Sequence, residues 1–201
     1  EYSLAIFQLG IGISLALYFY GLPILIFGDS PAFLGFMWAF AQFPLFMGLS
    51  YVNSLALKIW GYNALQKLFP YLIFLLTLVL FFAHIATDIP RPYLDNFGLA
   101  HWDINYPFNF IFALTVAVLT LVPAVFFMTS KVDSKKALVK KIFFVATFVL
   151  AGAGGIIKII YDESFYPLFV AYFMIFAGFL MLGLISFIDA WMDDDGHPSV
   201  I

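Results

Sequence analysis

The stretch "FNFIFALTVAVLTLVPAVFFMTSKVDSKKALVKKIFFVATFVLAGAGGIIKII", Phe108 to Ile160, decides the fold class. Two long apolar runs, Phe108–Thr129 and Ala137–Ile160, flank a short basic turn. The hydrocarbon core of a bilayer takes roughly 20 apolar residues as a helix, and both runs reach that length. Neither carries a charge near its middle. They are apolar all round rather than along one stripe, which marks membrane spans and not amphipathic surface helices.

Four more runs of the same kind lie outward from this pair: Tyr2–Phe27, ended by "GDSP", then Pro31–Tyr51, Phe69–Thr87 and Tyr166–Trp191. The expected fold is therefore all-α, a polytopic integral membrane helical bundle with six spans. It is drawn as one transmembrane domain over residues 1–192, followed at 193–201 by an acidic tail or the start of a linker. Composition agrees. The chain is 64% hydrophobic and 10% charged, with mean hydropathy +1.03. A soluble domain is about a quarter charged, so lipid is the solvent that suits this chain. A net charge of −3 gives no reason to expect a nucleic-acid partner. The absence of cysteine excludes disulfides and thiolate metal sites.

Charge also sets an expected orientation. Five of the nine basic residues, Lys131, Lys135, Lys136, Lys140 and Lys141, crowd into the turn between spans four and five. Cytoplasmic loops carry the excess of Lys and Arg, so that turn is expected inside. Alternation then places the loop between spans two and three inside, with Lys58 and Lys67. It places the 20-residue segment Asp88–Pro107 and the "YDES" turn outside, with Arg91 and Lys158. Both ends of the chain fall inside, consistent with a bacterial inner or plasma membrane. Trp60, Tyr62 and Trp191 would then form an inner aromatic belt, and Trp102, Tyr106, Tyr161 and Tyr166 an outer one. The first residue is Glu1 rather than Met, so an N-terminal piece is expected to be missing. A cleaved signal would leave Glu1 outside, against the charge pattern. A preceding span would not, and it would make seven.

The order of these features resembles the N-terminal seven-helix sensor regions of bacterial histidine kinases. "FLGFMWAFAQFPLFMGLSYVN" looks like the third span of that family. "LKIWGYNALQKLFPYLIFLLTLVLFFAHIATD" resembles its inner loop and fourth span. "KKALVKKIFFVATFVLAGAGGIIKIIY" looks like the basic loop and sixth span, and "FYPLFVAYFMIFAGFLMLGLISFIDA" like the seventh. The resemblance covers nearly the whole chain with one span missing at the start. It implies a sensory membrane module feeding cytoplasmic signalling domains. No kinase part is present, and His197 in "GHPSV" departs from the family's phospho-acceptor pattern, where an acidic residue follows the histidine.

Polar groups inside a membrane are costly and therefore functional candidates. Gln42 lies mid-span beside Pro44, and His84 lies toward the outer end of span three. With Trp102 from the outer segment, they are the expected polar and aromatic lining of a ligand site. A haem or metal site would need His84 with His101, joined for a metal by Asp88, Asp95 or Asp103. No ligand spacing such as HxxxH supports one, and no cofactor is expected. Lys158 is expected to reach up toward Asp162 or Glu163. The small-residue pairs Gly10 with Ser14 and Ala151 with Gly155 are expected to let helices approach closely. There is no nucleophile–base set, phosphate loop or zinc-protease helix, so no enzyme is expected.

Two functional readings follow. One is a sensory or ligand-binding membrane domain that passes a signal to a cytoplasmic partner. The other is a non-catalytic integral subunit of a larger respiratory or photosynthetic complex. A small transporter comes third, weakened by the lack of deeply placed charges. In each case the lipid bilayer is the first partner, joined by other membrane subunits or a cytoplasmic signalling domain.

Overall fold

The computed structural model describes residues 6–7, 9–14, 31–87, 92–94, 96–97, 100–102, 106–161 and 164–192. Helix α1 is seen over residues 9–14. It is followed by α2 (Pro31–Ile59), α3 (Asn63–Thr87), strands β1 (Pro92–Leu94) and β2 (Ala100–Trp102), α4 (Phe108–Thr129), α5 (Lys135–Ile160) and α6 (Phe165–Trp191). The fold class is the expected one, a helical membrane protein. Among the described residues five helices are long and apolar enough to cross a bilayer. The run expected at Tyr2–Phe27 lies largely outside the described residues.

Two boundaries differ from the hydropathy reading. Helix α2 runs on past Tyr51 to Ile59, and α3 begins at Asn63 rather than Phe69. Lys58 and Lys67 therefore sit on helices, and the connection expected to hold them shrinks to Trp60–Tyr62. The physical reason lies in the helix end. Gly61 takes φ +86, a conformation that glycine adopts without a Cβ penalty. The Tyr62 N–H then reaches back to the Leu57 carbonyl at 2.9 Å, and the Gly61 N–H reaches the Lys58 carbonyl at 3.0 Å. These bonds satisfy two of the carbonyls left over where α2 stops.

The chain forms two compact units, Glu1–Asn109 and Phe110–Ile201. In the first, α2 is the central element. Its buried residues include Leu34, Trp38, Ala41, Phe46, Leu49, Val52 and Ala56, together with Phe7 and Ile11 ahead of it. Helix α3 turns Pro70, Ile73, Thr77, Leu80 and His84 inward. That alternating spacing of three and four is one helical stripe. The other faces of α3 expose Tyr71, Leu75, Val79 and Phe82. A soluble protein could not leave such a surface bare, whereas lipid solvates it.

In the second unit α5 packs along both α4 and α6. The N-terminus of α5 is capped by the Ser134 hydroxyl, which accepts the Ala137 N–H at 3.1 Å. Rings tie α4 to α5 at this end, with Phe127 stacked on Phe144 at 4.9 Å and on Phe148 at 6.1 Å. The segment Asp88–Pro107 holds a small antiparallel hairpin in which Tyr93 faces His101 and Pro92 faces Trp102.

Candidate functional site

The first unit gathers its buried polar groups around α2. His84 comes last in the inward stripe of α3 and is only 2% exposed. Its imidazole meets the edge of the Trp38 indole at 5.9 Å and the Phe108 ring at 4.7 Å. Trp38 lies on α2 and Phe108 is the first residue of α4, so one ring from each flanks the histidine. Gln42 lies one turn after Trp38, where the i,i+4 spacing puts both on one face of α2. Its Nε2 donates to the Trp38 carbonyl at 3.3 Å. Gln42 and His84, two of the expected lining residues, are thus linked through Trp38. The third, Trp102, holds its backbone place on β2, but its side chain lies outside the described residues.

The hairpin adds a second buried histidine to the same unit. His101 is 3% exposed. The ring of its cross-strand partner Tyr93 stacks flat on it, 4.9 Å away with 7° between the planes. Direct cross-strand neighbours stand close enough for such ring contact. Tyr93 is itself half exposed, so it covers the imidazole from the solvent side. Strand β1 packs against α2. His84 and His101 are the residues here with metal-ligating chemistry. Among the described residues no three His, Cys, Asp or Glu side chains group to hold a metal. Asp88, Asp95 and Asp103 lie outside them.

The hydropathy reading missed a further polar zone, because it ended span two at Tyr51. Ser50, Asn53 and Ser54 are all buried in the second half of α2. Each bonds back to its own helix: Ser50 to the Met47 carbonyl at 2.8 Å, Asn53 to Leu49 at 2.8 Å and Ser54 to Ser50 at 2.9 Å. Thr77 on α3 does the same to Ile73 at 2.7 Å. This local bonding lets polar side chains sit inside a membrane helix. The signal available in the sequence was the "SYVNS" run directly after an apolar one.

The small residues fill helix crossings. A Cβ placed on Gly10 would strike the Pro44 carbonyl oxygen and come within 3.0 Å of the Gly48 Cα. Ser14, one turn on, donates its hydroxyl to the Ala41 carbonyl at 3.0 Å, in the turn of α2 that Pro44 disrupts. In the second unit, Ala151 touches Gly178 of α6, whereas Gly155 faces Val116 of α4. That pair therefore serves two neighbours rather than one. Nζ of Lys158 lies 5.7 Å from the centre of the Tyr172 ring on α6, a cation–π contact. Asp162 and Glu163, its expected partners, are outside the described residues. Of the basic turn, Lys131 and Lys135 are exposed, and Lys141 donates to the Ser130 carbonyl at 2.8 Å.

No family model matches the chain, and no curated protein or solved structure matches it either.

Proposed function

We propose that this chain is an integral membrane sensory or ligand-binding domain. Its site is the Trp38–Gln42–His84–Phe108 cluster, and it passes its signal through the membrane helices to a cytoplasmic partner. The observation that carries this reading is His84, a buried imidazole held between aromatic rings from two other helices. In a chain that is only 10% charged, a polar group placed there is retained at a cost. An imidazole offers one donor and one acceptor, and the flanking rings offer flat apolar contact. The chemistry suits a small, largely apolar ligand with one hydrogen-bonding group. In the expected orientation His84 lies toward the outer side of the membrane.

The test is thermal unfolding of the full-length protein in mild detergent against fractions of small apolar solutes. A ligand that binds only the folded state at 100 times its Kd raises stability by about 2.7 kcal/mol. Wild type should gain that protection from some fraction, and His84→Phe, which keeps the ring and removes both nitrogens, should not. Equal protection of both proteins would sink the site.

The complex-subunit reading draws on a different observation. Phe36, Phe40, Phe43, Phe74, Phe81 and Phe82 form a continuous cluster of rings along α2 and α3. Four of the six are exposed. Native mass spectrometry separates the two readings. Other subunits flying with a chain of about this mass would favour the complex, and one much heavier chain would favour the sensor.

A further inference from the structure

The hairpin of β1 and β2 is arranged the wrong way round for water. Its imidazole, on His101, is buried, and the Tyr93 ring lies over it. The aromatic rings around it are the exposed groups. Phe97, in the turn between the strands, is 72% exposed, and Tyr106, a few residues beyond β2, is 79% exposed. Tyr93 is half exposed. A strand pair with one face in water turns its polar side chains out and its apolar ones in. The reverse order suits a surface met by something less polar than water. Asn96, next to Phe97 in the turn, is exposed as well, so the tip offers an apolar ring and a polar amide side by side. The boundary between lipid headgroups and acyl chains accommodates both.

The hairpin's place in the chain points to that boundary. It lies in the connection between α3 and α4, both long and apolar enough to cross a bilayer. Strand β1 packs back against α2 rather than standing clear of the helices. Each strand has three residues, which at about 3.3 Å per residue is a length of about 10 Å. The tip therefore stays close to the helix ends. The exposed rings also continue a lipid-facing surface, since the last two turns of α3 expose Phe82 and Ile85. Charge gives no reason for the hairpin to seek acidic headgroups. The segment Asp88–Pro107 carries Asp88, Asp95 and Asp103 against Arg91 alone, three negative charges and one positive. We propose that the β1–β2 hairpin is an anchor in the membrane interface. Phe97, with Tyr93 and Tyr106, lies at the boundary of headgroups and acyl chains in the leaflet where α3 ends. The partner is a zwitterionic lipid surface, held by apolar contact. Aromatic rings favour that depth. The anchor uses neither His84 nor a ligand, so it stands apart from the sensory reading.

The test uses the full chain in phosphatidylcholine nanodiscs, which offer both leaflets whatever the orientation. The chain has no cysteine, so Asn96→Cys offers a single thiol beside Phe97 for a nitrobenzoxadiazole fluorophore. A nitroxide placed high on the lipid acyl chain should quench this label strongly. Aqueous iodide should quench it far less than the same label at Lys131→Cys, an exposed position on the basic turn. Adding Phe97→Ser should abolish the nitroxide quenching and raise that by iodide. Salt should leave the pattern with Phe97 unchanged, because screening acts on charges and not on apolar contact. Iodide quenching equal to that at Lys131→Cys would put the tip in water and overturn the proposal. Shielding from both quenchers would place the tip against protein and overturn it equally. Nitroxide quenching that survives Phe97→Ser would mean that the label and not the ring sought lipid, and loss of quenching at high salt would mean that charge holds the tip. Either result refutes the anchor. Should Phe97→Ser fail to fold, the two quenchers on Asn96→Cys alone decide the matter.

Discussion

Three glycines make a matched experiment on how tightly α5 and α6 are packed. A Cβ on Gly178 would lie 2.9 Å from the Ala151 nitrogen and 3.0 Å from both the Ala151 Cβ and the Thr147 carbonyl oxygen. A Cβ on Gly154 would lie 2.7 Å from the Ala171 carbonyl oxygen and 2.9 Å from Ile175 Cγ1. Optimal non-bonded separations are about 3.5–4.0 Å. Either substitution must therefore push the helices apart by about half an ångström, and the atoms met are mostly backbone, which cannot rotate away. Gly183 on the same helix meets nothing within 4 Å. Replacing glycine by alanine in a helix interior gains about 1 kcal/mol of helix propensity at either site of α6, so that gain cancels between Gly178→Ala and Gly183→Ala. What remains is the overpacking cost, about 1–3 kcal/mol. Gly178→Ala should thus be less stable than Gly183→Ala by that amount. Gly154→Ala combined with Gly178→Ala should cost less than the sum of the two, because one separation relieves both clashes. Reversible unfolding in mixed detergent micelles, followed by far-ultraviolet circular dichroism, reads the difference. Equal midpoints for Gly178→Ala and Gly183→Ala would refute the close crossing.

Other substitutions test single contacts with the same assay. The hydroxyl of Thr147 is buried without a hydrogen-bond partner among the described residues. Thr147→Val should therefore be neutral or stabilising by about 1 kcal/mol, and a loss of stability would reveal a missed partner. Ser14→Ala removes the donor to the Ala41 carbonyl and should cost about 1 kcal/mol. Gly61→Ala meets open space but forces a side chain into a left-handed conformation. It should cost about 1–2 kcal/mol, and a neutral result would refute the helix end described here. At the candidate site His84→Ala should cost several kcal/mol by leaving a ring-sized void between Trp38 and Phe108, near the about 3–5 kcal/mol of buried aromatic truncations. His84→Phe should restore most of that loss, and failure to do so would mean that the nitrogens, not the ring, hold the packing.

Much of the candidate site was legible residue by residue, but its assembly was not. Gln42 and His84 stood out because polar groups in apolar runs are conspicuous. Trp38, their link, did not, because one more aromatic in a chain that is 21% aromatic carries no signal. Asn53 and Ser54 went unread because they follow the apolar stretch, and hydropathy takes a polar residue for the end of a span. In the fold they are buried along α2, with the Asn53 amide nitrogen and the Ser54 hydroxyl bonded to α2 itself. The hairpin was equally hidden. Three-residue strands leave little periodicity, and the Tyr93–His101 stack exists only once the strands pair.

The sequence by itself determined the solvent and the class. Apolar length is a one-dimensional property, and a bilayer converts it directly into helices because every backbone polar group there must bond within its own segment. For that reason Phe108–Thr129 could be read end to end from hydropathy, and α5 and α6 to within two residues at either end. Only the tertiary structure decided which faces meet: Ala151 on α6 but Gly155 on α4, and His84 between Trp38 and Phe108. Those outcomes depend on how each helix is rotated about its axis. In helices apolar on every side the pattern of residues does not specify that rotation, and close packing of small residues and rings settles it.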